Sequence, residues 1–171
     1  MFVTRLAAAQ IGATFNFYRE GDGAAVRRLR LREYLEQRGD AEVLLVGEAA
    51  GYRGARVSGI PFTSERQLTG GDPAEASATI VHRVLAELGA TDRILLWNVV
   101  PTHPGTATTN RPPSRVEIAG GAVFAHELAC GRSVIAVGRL AAAALGAPSV
   151  RHPSHGGASA FAAGLADLIE R

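Results

Sequence analysis

The amino-acid sequence predicts an α/β fold with three layers, αβα, around a central four-stranded parallel sheet. From residue 42 onward, short apolar runs alternate with longer stretches whose apolar residues recur at helical spacing. Such alternation favours a parallel sheet that is joined by right-handed crossovers and covered by helices on both faces. A length of 171 residues suits a single domain, because two domains would each have a cramped core.

Residues 1–40 are predicted to form an N-terminal helical segment of that domain. Its clearest part is residues 24–38, where apolar side chains form a helical stripe: Val26, Leu29, Leu31, Tyr34 and Leu35. Arginines occupy the other faces of this helix: Arg27, Arg28, Arg30 and Arg32. We expect a solvated arginine face, with a phosphate-contacting patch as the alternative.

Strands and helices alternate through the rest of the chain. The predicted strands are residues 43–46, 94–99, 133–137 and 149–151, and the predicted helices are 75–88, 114–130, 140–145 and 159–169. Two connections, 48–73 and 98–113, are too long to be ordinary turns, and both leave the carboxyl end of a strand. Ligands bind at that edge of open α/β sheets, so we expect the functional site there.

Composition excludes several kinds of chemistry. The single cysteine, Cys130, rules out a disulfide framework and a cysteine-ligated iron–sulfur cluster or zinc site. Cys130 ends an apolar helix pattern, so we expect a small core residue. The chain has no lysine, which excludes a lysine Schiff base and a Walker-type phosphate loop. The formal net charge of +2 suits a nucleic-acid partner only weakly.

Small and polar residues follow all four predicted strands. They are the GEAAG run at 47–51, Asn98, Gly138 and the HPSHGG run at 152–157. The glycine spacing at 47–51 is not the Gly-x-Gly-x-x-Gly of dinucleotide binding, and the chain has no Gly-x-Ser-x-Gly nucleophile motif. We therefore expect no cofactor. The order of these segments along the chain is their most specific property.

Over residues 41–170 the sequence resembles the uracil-DNA glycosylase superfamily. The resemblance rests on VLLVGEAAGYRGARVSGIPFTSERQL, LLWNVVPTHPGT, NRPPSR, VIAVG and VRHPSHGG, which follow one another in family order. It is greatest to the branch whose first motif is Gly-Glu-Ala-Pro-Gly, but the iron–sulfur cysteines of that branch are absent. The resemblance implies an enzyme that flips a damaged base out of DNA and hydrolyses its glycosidic bond.

The resemblance also implies roles for individual residues. Glu48 and His152 would be catalytic, Glu48 by activating water and His152 by donating a hydrogen bond to the departing base. Glu48 has an alternative role as a cap for its own loop, and His103 and Glu65 are lesser candidates for activating water. The base would be bound by residues after the first two strands: Gly47, Ala49, Gly51, Phe62 and Asn98. DNA would be contacted by the late loop: Ser154, His155, Gly156 and Gly157.

Three departures from the family pattern affect these expectations. Ala50 replaces a proline, so we expect a looser loop. Gly51 replaces the tyrosine that excludes a 5-methyl group in the strictest uracil enzymes, so thymine is expected to enter unless Tyr52 substitutes. Without the cluster cysteines, support must come from the N-terminal segment and from packing.

These observations predict a monofunctional glycosylase acting on uracil or a related base in DNA, with no metal. A metal site formed by Glu48, His103, His152 and His155 is the less favoured alternative. Alternative functions are a non-catalytic binder of damaged DNA and an enzyme acting on free nucleosides or nucleotides. We expect a cytoplasmic monomer without a membrane segment, because no apolar run approaches about 20 residues.

Overall fold

The computed structural model describes residues 1–170. In chain order its elements are α1 (Phe2–Ala8), α2 (Ala24–Gln37), β1 (Val43–Ala49), α3 (Ala55–Ser58), α4 (Glu65–Thr69), α5 (Ala76–Glu87), β2 (Ile94–Val100), α6 (Arg115–Ala129), β3 (Ser133–Val137), α7 (Arg139–Leu145), β4 (Ser149–Val150) and α8 (Ala158–Ile169). Within the described residues, no helix has both the length and the apolar composition needed to cross a membrane.

The four strands form one parallel sheet in the order β2-β1-β3-β4, which confirms the predicted fold class. Strand β1 extends to Ala49, three residues beyond its predicted end, and it pairs with β2 so that Gly47 lies opposite Asn98. The two outer strands, β2 and β4, are therefore at opposite edges of the sheet. This order separates the segments that follow them.

Alternation along the strands supplies an apolar core on each face of the sheet. Leu44, Val46 and Trp97 face the layer that includes α1, α6 and α7. Val43 and Leu45 face the opposite layer, which contains α5 and α8. Because neighbouring side chains of a strand point to opposite faces, one apolar run serves both cores.

Helix α2 reaches the edge strand β2 through Tyr34, and its orientation differs from the prediction. The Tyr34 hydroxyl accepts a hydrogen bond of 2.7 Å from the Leu96 backbone N–H, which satisfies a donor of the edge strand. Leu31 is buried, whereas Val26 and Leu29 are exposed, so the expected apolar stripe is only partly correct. The helix turns some of its arginines toward the protein.

Three of those arginines bind carbonyl oxygens of the chain. Arg27 donates to the Phe17 carbonyl at 2.6 Å, Arg28 donates to the Tyr18 carbonyl at 2.6 Å, and Arg30 donates to the Ser58 carbonyl at 3.3 Å. The expectation of a wholly solvated face is therefore wrong, because these side chains satisfy loop backbone groups.

The N-terminal segment supports the sheet, as expected. The Phe2 ring packs edge-on against Trp97 and Phe124, with ring centroids 5.5 and 5.6 Å apart. Phe15 exchanges two backbone hydrogen bonds with His103, which joins the segment to the connection after β2.

Cys130 caps the end of α6 and is exposed, so the expectation of a core cysteine is wrong. Helix propensity placed the residue correctly at the end of the helix. The Cys130 thiol donates to the His126 carbonyl of the same helix at 3.7 Å.

Candidate active site

A cavity of about 500 Å³ lies at the carboxyl edge of the sheet, where the sequence places the functional site. Its walls come from the segments after β1, β2 and β4 and from the residues before α5. The predicted residues that line it directly are Glu48, Ala49, Gly51, Phe62, Asn98, His152, Ser154 and His155. The volume falls within the range of small-ligand sites and can hold one nucleobase.

Gly47 lies beneath the cavity and lets two of its walls meet. A Cβ atom at Gly47 would overlap the edge of the Phe62 ring and would lie 2.9 Å from Asn98 Oδ1. Phe62 is buried and adopts a positive φ of 51°, which non-glycine residues seldom do. The absence of a side chain at Gly47 therefore allows the aromatic ring and the amide to stand side by side.

Asn98 presents an unoccupied amide to the cavity. Its residue surface is only 4% exposed, yet among residues 1–170 its side chain forms no hydrogen bond. The amide thus retains a donor and an acceptor for a ligand.

Glu48 is a half-buried carboxylate that also has no hydrogen-bond partner among the described residues. The alternative role as a cap for its own loop is wrong, because the carboxylate accepts no backbone N–H from residues 1–170. Burial raises the pKa of Glu48 above its ordinary value of 4.5. A carboxylate with these properties can accept a proton from a bound water.

His152 is oriented by its own loop. The Ser154 backbone N–H donates to His152 Nδ1 at 3.2 Å, and the Ser154 hydroxyl lies 2.7 Å from the same nitrogen. Burial, and then the charge of His155, lower the pKa of His152, which favours the neutral ring. Because Nδ1 accepts, the proton of the neutral ring is on Nε2, which becomes a donor.

His155 continues this chain of hydrogen bonds, since its Nδ1 lies 2.9 Å from the Ser154 hydroxyl. Ser154 and His155, predicted as DNA contacts, thereby also orient His152. Gly156 is exposed, whereas Gly157 is buried, and a Cβ at Gly157 would overlap the His152 carbonyl oxygen. Neither glycine lines the cavity.

The loop after β1 is held firmly, contrary to the expectation for Ala50. The Ala50 N–H donates to the Val100 carbonyl at 3.1 Å, a bond that a proline could not form. The Ala50 carbonyl in turn lies 2.7 Å from Nδ1 of the fully buried His103. Replacing proline therefore adds a hydrogen bond to the loop.

Neither lesser candidate for activating water lies at the cavity. Both ring nitrogens of His103 lie within hydrogen-bond distance of backbone carbonyls, and Glu65 forms an ion pair of 2.5 Å with Arg30. These two assignments are wrong. Within residues 1–170, no cluster of three histidine, cysteine, aspartate or glutamate side chains is arranged to hold a metal ion.

The NRPPSR motif forms a structural unit that we call the 110–117 segment. Asn110 Oδ1 accepts a hydrogen bond of 3.0 Å from the Tyr52 N–H, and Arg111 pairs with the buried Glu117 through bonds of 2.8 and 2.6 Å. Glu117 also accepts from the Ser114 N–H at 2.7 Å in a capping box that begins α6. The segment thus fixes one wall of the cavity.

The resemblance suggested that the space above Gly51 is open. In the structure that space is filled by the side chain of Glu75. A Cβ atom at Gly51 would overlap Glu75 Oε1, and one at Gly54 would overlap Oε2. Sequence reasoning missed Glu75, which the prediction placed at the start of a helix. The only signal in the sequence is a pair of glycines three residues apart, which leaves room for a distant side chain.

A sequence model of the uracil DNA glycosylase superfamily matches residues 35–166, most of the chain. The chain therefore belongs to the uracil DNA glycosylase superfamily. No curated protein sequence matches it significantly.

Solved structures align with almost the whole chain, and the first of the following two shares its fold. The crystal structure of wild-type SMUG2 from Pedobacter heparinus aligns with a TM-score of 0.67 at 14% identity, covering 99% of this chain and 97% of that chain. The wild-type UNG structure from Nitratifractor salsuginis aligns with a TM-score of 0.46 at 16% identity, covering 97% and 94%.

Proposed function

We propose that this chain is a monofunctional DNA glycosylase that hydrolyses the N-glycosidic bond of a flipped-out uracil or related damaged base and so begins base excision repair. One observation carries the proposal: the carboxylate of Glu48 and the amide of Asn98, neither of which has a hydrogen-bond partner within residues 1–170, line one cavity with the ring of His152. Membership of the superfamily supports the same activity.

Phe62 and Asn98 suit the recognition of a flipped pyrimidine. An aromatic ring at the cavity wall offers a stacking surface to a base that has lost its neighbours. The Asn98 amide offers a donor and an acceptor side by side, which match the carbonyl and imide N–H of uracil. In the same orientation cytosine would be mismatched at both positions, because its N3 lone pair would face the Asn98 amide oxygen and its amino group would face the amide NH2.

His152 suits the stabilisation of the leaving base. When the bond between N1 and C1′ breaks, its electron pair remains on the base, and negative charge spreads from N1 to the C2 carbonyl oxygen. A hydrogen bond from Nε2–H of His152 to this oxygen strengthens as the charge develops. Such a preorganised donor contributes about 2.7–4 kcal/mol to transition-state stabilisation.

Glu48 suits the activation of water. The water oxygen forms a bond to C1′ while one water proton passes to the Glu48 carboxylate, and the departing base later takes up a proton at N1. General-base assistance of this kind contributes about 10²–10⁴-fold. Because the chain has no lysine, it cannot form the lysine Schiff base with the sugar that leads to strand cleavage. We therefore expect the DNA strand to stay intact.

The loop after β4 suits contact with the DNA backbone. Ser154, His155, Gly156 and Gly157 lead into the N-terminus of α8, whose first backbone N–H groups can bind phosphate oxygens. The exposed Gly156 lets a DNA backbone approach closely, since no atom of the described residues, apart from its chain neighbours, lies within 4 Å of its Cβ position.

The test is a single-turnover assay on oligonucleotides that carry uracil, a thymine mispair, hypoxanthine or ethenocytosine. We expect release of free uracil and an abasic strand that breaks only after alkali treatment. Strand cleavage without alkali would contradict a monofunctional enzyme. Binding without base release would indicate a non-catalytic DNA-binding protein, and turnover of free nucleosides with little salt dependence would indicate a nucleoside enzyme.

The same assay tests the site with Glu48→Ala and His152→Ala variants. We expect both to lose activity, His152→Ala by about 10²–10³-fold, because one transition-state donor is removed. His126→Ala is the matched control, since His126 is an exposed histidine near the end of α6. Wild-type activity in both site variants would refute the site assignment.

A further inference from the structure

Glu75 forms a wall of the cavity that its own helix does not require. The residue precedes α5, and its carboxyl group lies against the Cα atoms of Gly51 and Gly54, where any side chain at either position would overlap it. Glu75 is partly buried and lines the cavity together with Glu48 and Asn98. Its carboxyl group thus occupies the volume that a side chain at residue 51 would take.

This wall is on the β2 side of the cavity. The loop of residues 50–54 is tied to the last residue of β2 by the bond from Ala50 N–H to Val100, and to the chain after β2 by the bond from Tyr52 N–H to Asn110. His152 follows β4, at the other edge of the sheet. The cavity therefore lies between His152 on one side and the Glu75 wall on the other.

The positions of C2 and C5 in a pyrimidine ring link this placement of Glu75 to the choice of base. Atoms C2 and C5 lie across the pyrimidine ring from each other, so a ring whose C2 carbonyl faces His152 turns its C5 edge to the opposite side. We propose that Glu75 is a specificity-determining residue whose carboxyl group fills the space beside C5 and excludes pyrimidines with a methyl or larger group there. This inference rests on the proposed glycosylase function, and it narrows the substrate to C5-unsubstituted pyrimidines.

The exclusion arises from volume. Glu75 is held between a glycine backbone on one side and the start of α5 on the other, which leaves the carboxyl group little room to withdraw. Interiors that are closely packed resist the insertion of even one methyl group. Glutamine has the same shape as glutamate, whereas alanine removes the wall.

The experiment compares the wild type, Glu75→Gln and Glu75→Ala on oligonucleotides that differ only in uracil or thymine at one position of the same strand. The measured quantity is the ratio of thymine release to uracil release under single turnover. We expect this ratio to rise about 10-fold or more in Glu75→Ala, which is the effect of one methyl group in a pocket, and to stay low in Glu75→Gln.

An unchanged ratio in Glu75→Ala, with uracil still released, would overturn the inference and leave the proposed function standing. An equal rise in Glu75→Gln would also overturn it, because charge would then be responsible. Failure of the wild type to release any base would instead contradict the proposed function.

A second measurement needs no catalysis. Gly51→Ala should lower the melting temperature because the new methyl group meets Glu75, and adding Glu75→Ala should restore most of the loss. Strictly additive effects of the two substitutions would show that Glu75 does not occupy the space above Gly51, and would overturn the inference in an inactive chain as well.

Discussion

The cavity and the 110–117 segment each contain a carboxylate that is at least partly buried, and the two carboxylates differ in their hydrogen-bond partners and in the direction of their pKa shifts. Glu48 in the cavity has no hydrogen-bond partner among the described residues, and burial raises its pKa. Glu117 receives a bidentate ion pair from Arg111 and a backbone hydrogen bond. These contacts lower the pKa of Glu117 to about 2, the Arg111 hydrogen bonds contributing most.

The difference separates chemistry from architecture. A buried charge without a partner costs stability, so a protein retains one chiefly where its reactivity is used. A buried charge whose hydrogen-bonding capacity is filled by its neighbours holds segments together and is not available to react. We therefore expect substitutions at Glu48 to change activity and substitutions at Glu117 to change stability.

The largest effect is expected for Glu48→Gln, which keeps the shape of the side chain and removes the carboxylate that accepts the proton of the water. The rate of base release should fall about 10²–10⁴-fold, while the melting temperature stays the same or rises slightly, because an amide is cheaper to bury than a charge. Single-turnover assays and thermal unfolding measure the two quantities. Glu42→Gln, at an exposed ion pair with Arg93, is the matched control. Full activity in Glu48→Gln would remove Glu48 from the mechanism.

The second effect is a loss of stability in Glu117→Gln. The substitution removes the charge that Arg111 and the Ser114 N–H share, and hydrogen bonds to a charged group are worth about 1.5–3 kcal/mol. We expect the free energy of unfolding in urea to fall by about 2 kcal/mol. The exposed Arg93–Glu42 pair provides the comparison, since disrupting it should cost less than about 1 kcal/mol. Equal losses at the two pairs would deny Glu117 its structural role.

The third effect is on the pH profile of catalysis. Because burial raises the pKa of Glu48, its carboxylate should become protonated at a pH above 4.5, and the rate should fall on the acid side of that pH. The acid limb of kcat/KM in the wild type should be missing from the residual activity of Glu48→Gln. An identical acid limb in the variant would assign the titration to another group.

The smallest effect distinguishes the two carboxylates by the sign of their contribution to stability. The lowered pKa of Glu117 stabilises the fold above pH 4.5, and this stability is lost as pH falls from 4.5 toward 2. The raised pKa of Glu48 acts in the opposite direction, since its contribution is present below pH 4.5 and is lost as pH rises through the folded-state value. Chemical unfolding followed from neutral pH down to about pH 2 should show a flatter loss of stability in Glu117→Gln below pH 4.5, and a steeper loss in Glu48→Gln above pH 4.5. Parallel curves for the two variants would contradict the comparison.

Local pattern was sufficient for most of the architecture. The strand at 133–137 has the predicted bounds, and the other strands and long helices lie within a few residues of theirs. Side-chain periodicity is a local property, and buried parallel strands are apolar throughout, so both can be recognised without knowing the neighbours. The short helices α3 and α4 were missed because four or five residues carry too little periodicity.

The orientation of α2 could not be obtained in the same way. Its apolar stripe predicted burial of Val26 and Leu29, yet both are exposed because arginines of the helix bind loop carbonyls instead. Those carbonyls belong to Phe17 and Tyr18, which precede the arginines by ten residues and lie outside the helix, so the helix pattern does not contain them. Which face of a helix becomes buried depends on the groups that the rest of the chain places beside it.

The site shows the same division. The residue types at Glu48, Asn98 and His152 were enough to predict a shared edge, because these residues lie at or just after the carboxyl ends of the first, second and fourth strands, and parallel strands all end at one edge. The wall above Gly51 needed the tertiary structure, since Glu75 reaches it from more than twenty residues away.

The sequence by itself thus determined the order of the elements, the layered sheet and the chemical groups available at its carboxyl edge, because these follow from local periodicity and chain direction. Only the tertiary structure decided which of those groups remain without partners and which distant side chain closes the cavity. Partnering and closure depend on contacts between segments that are far apart along the chain, and no local pattern encodes them.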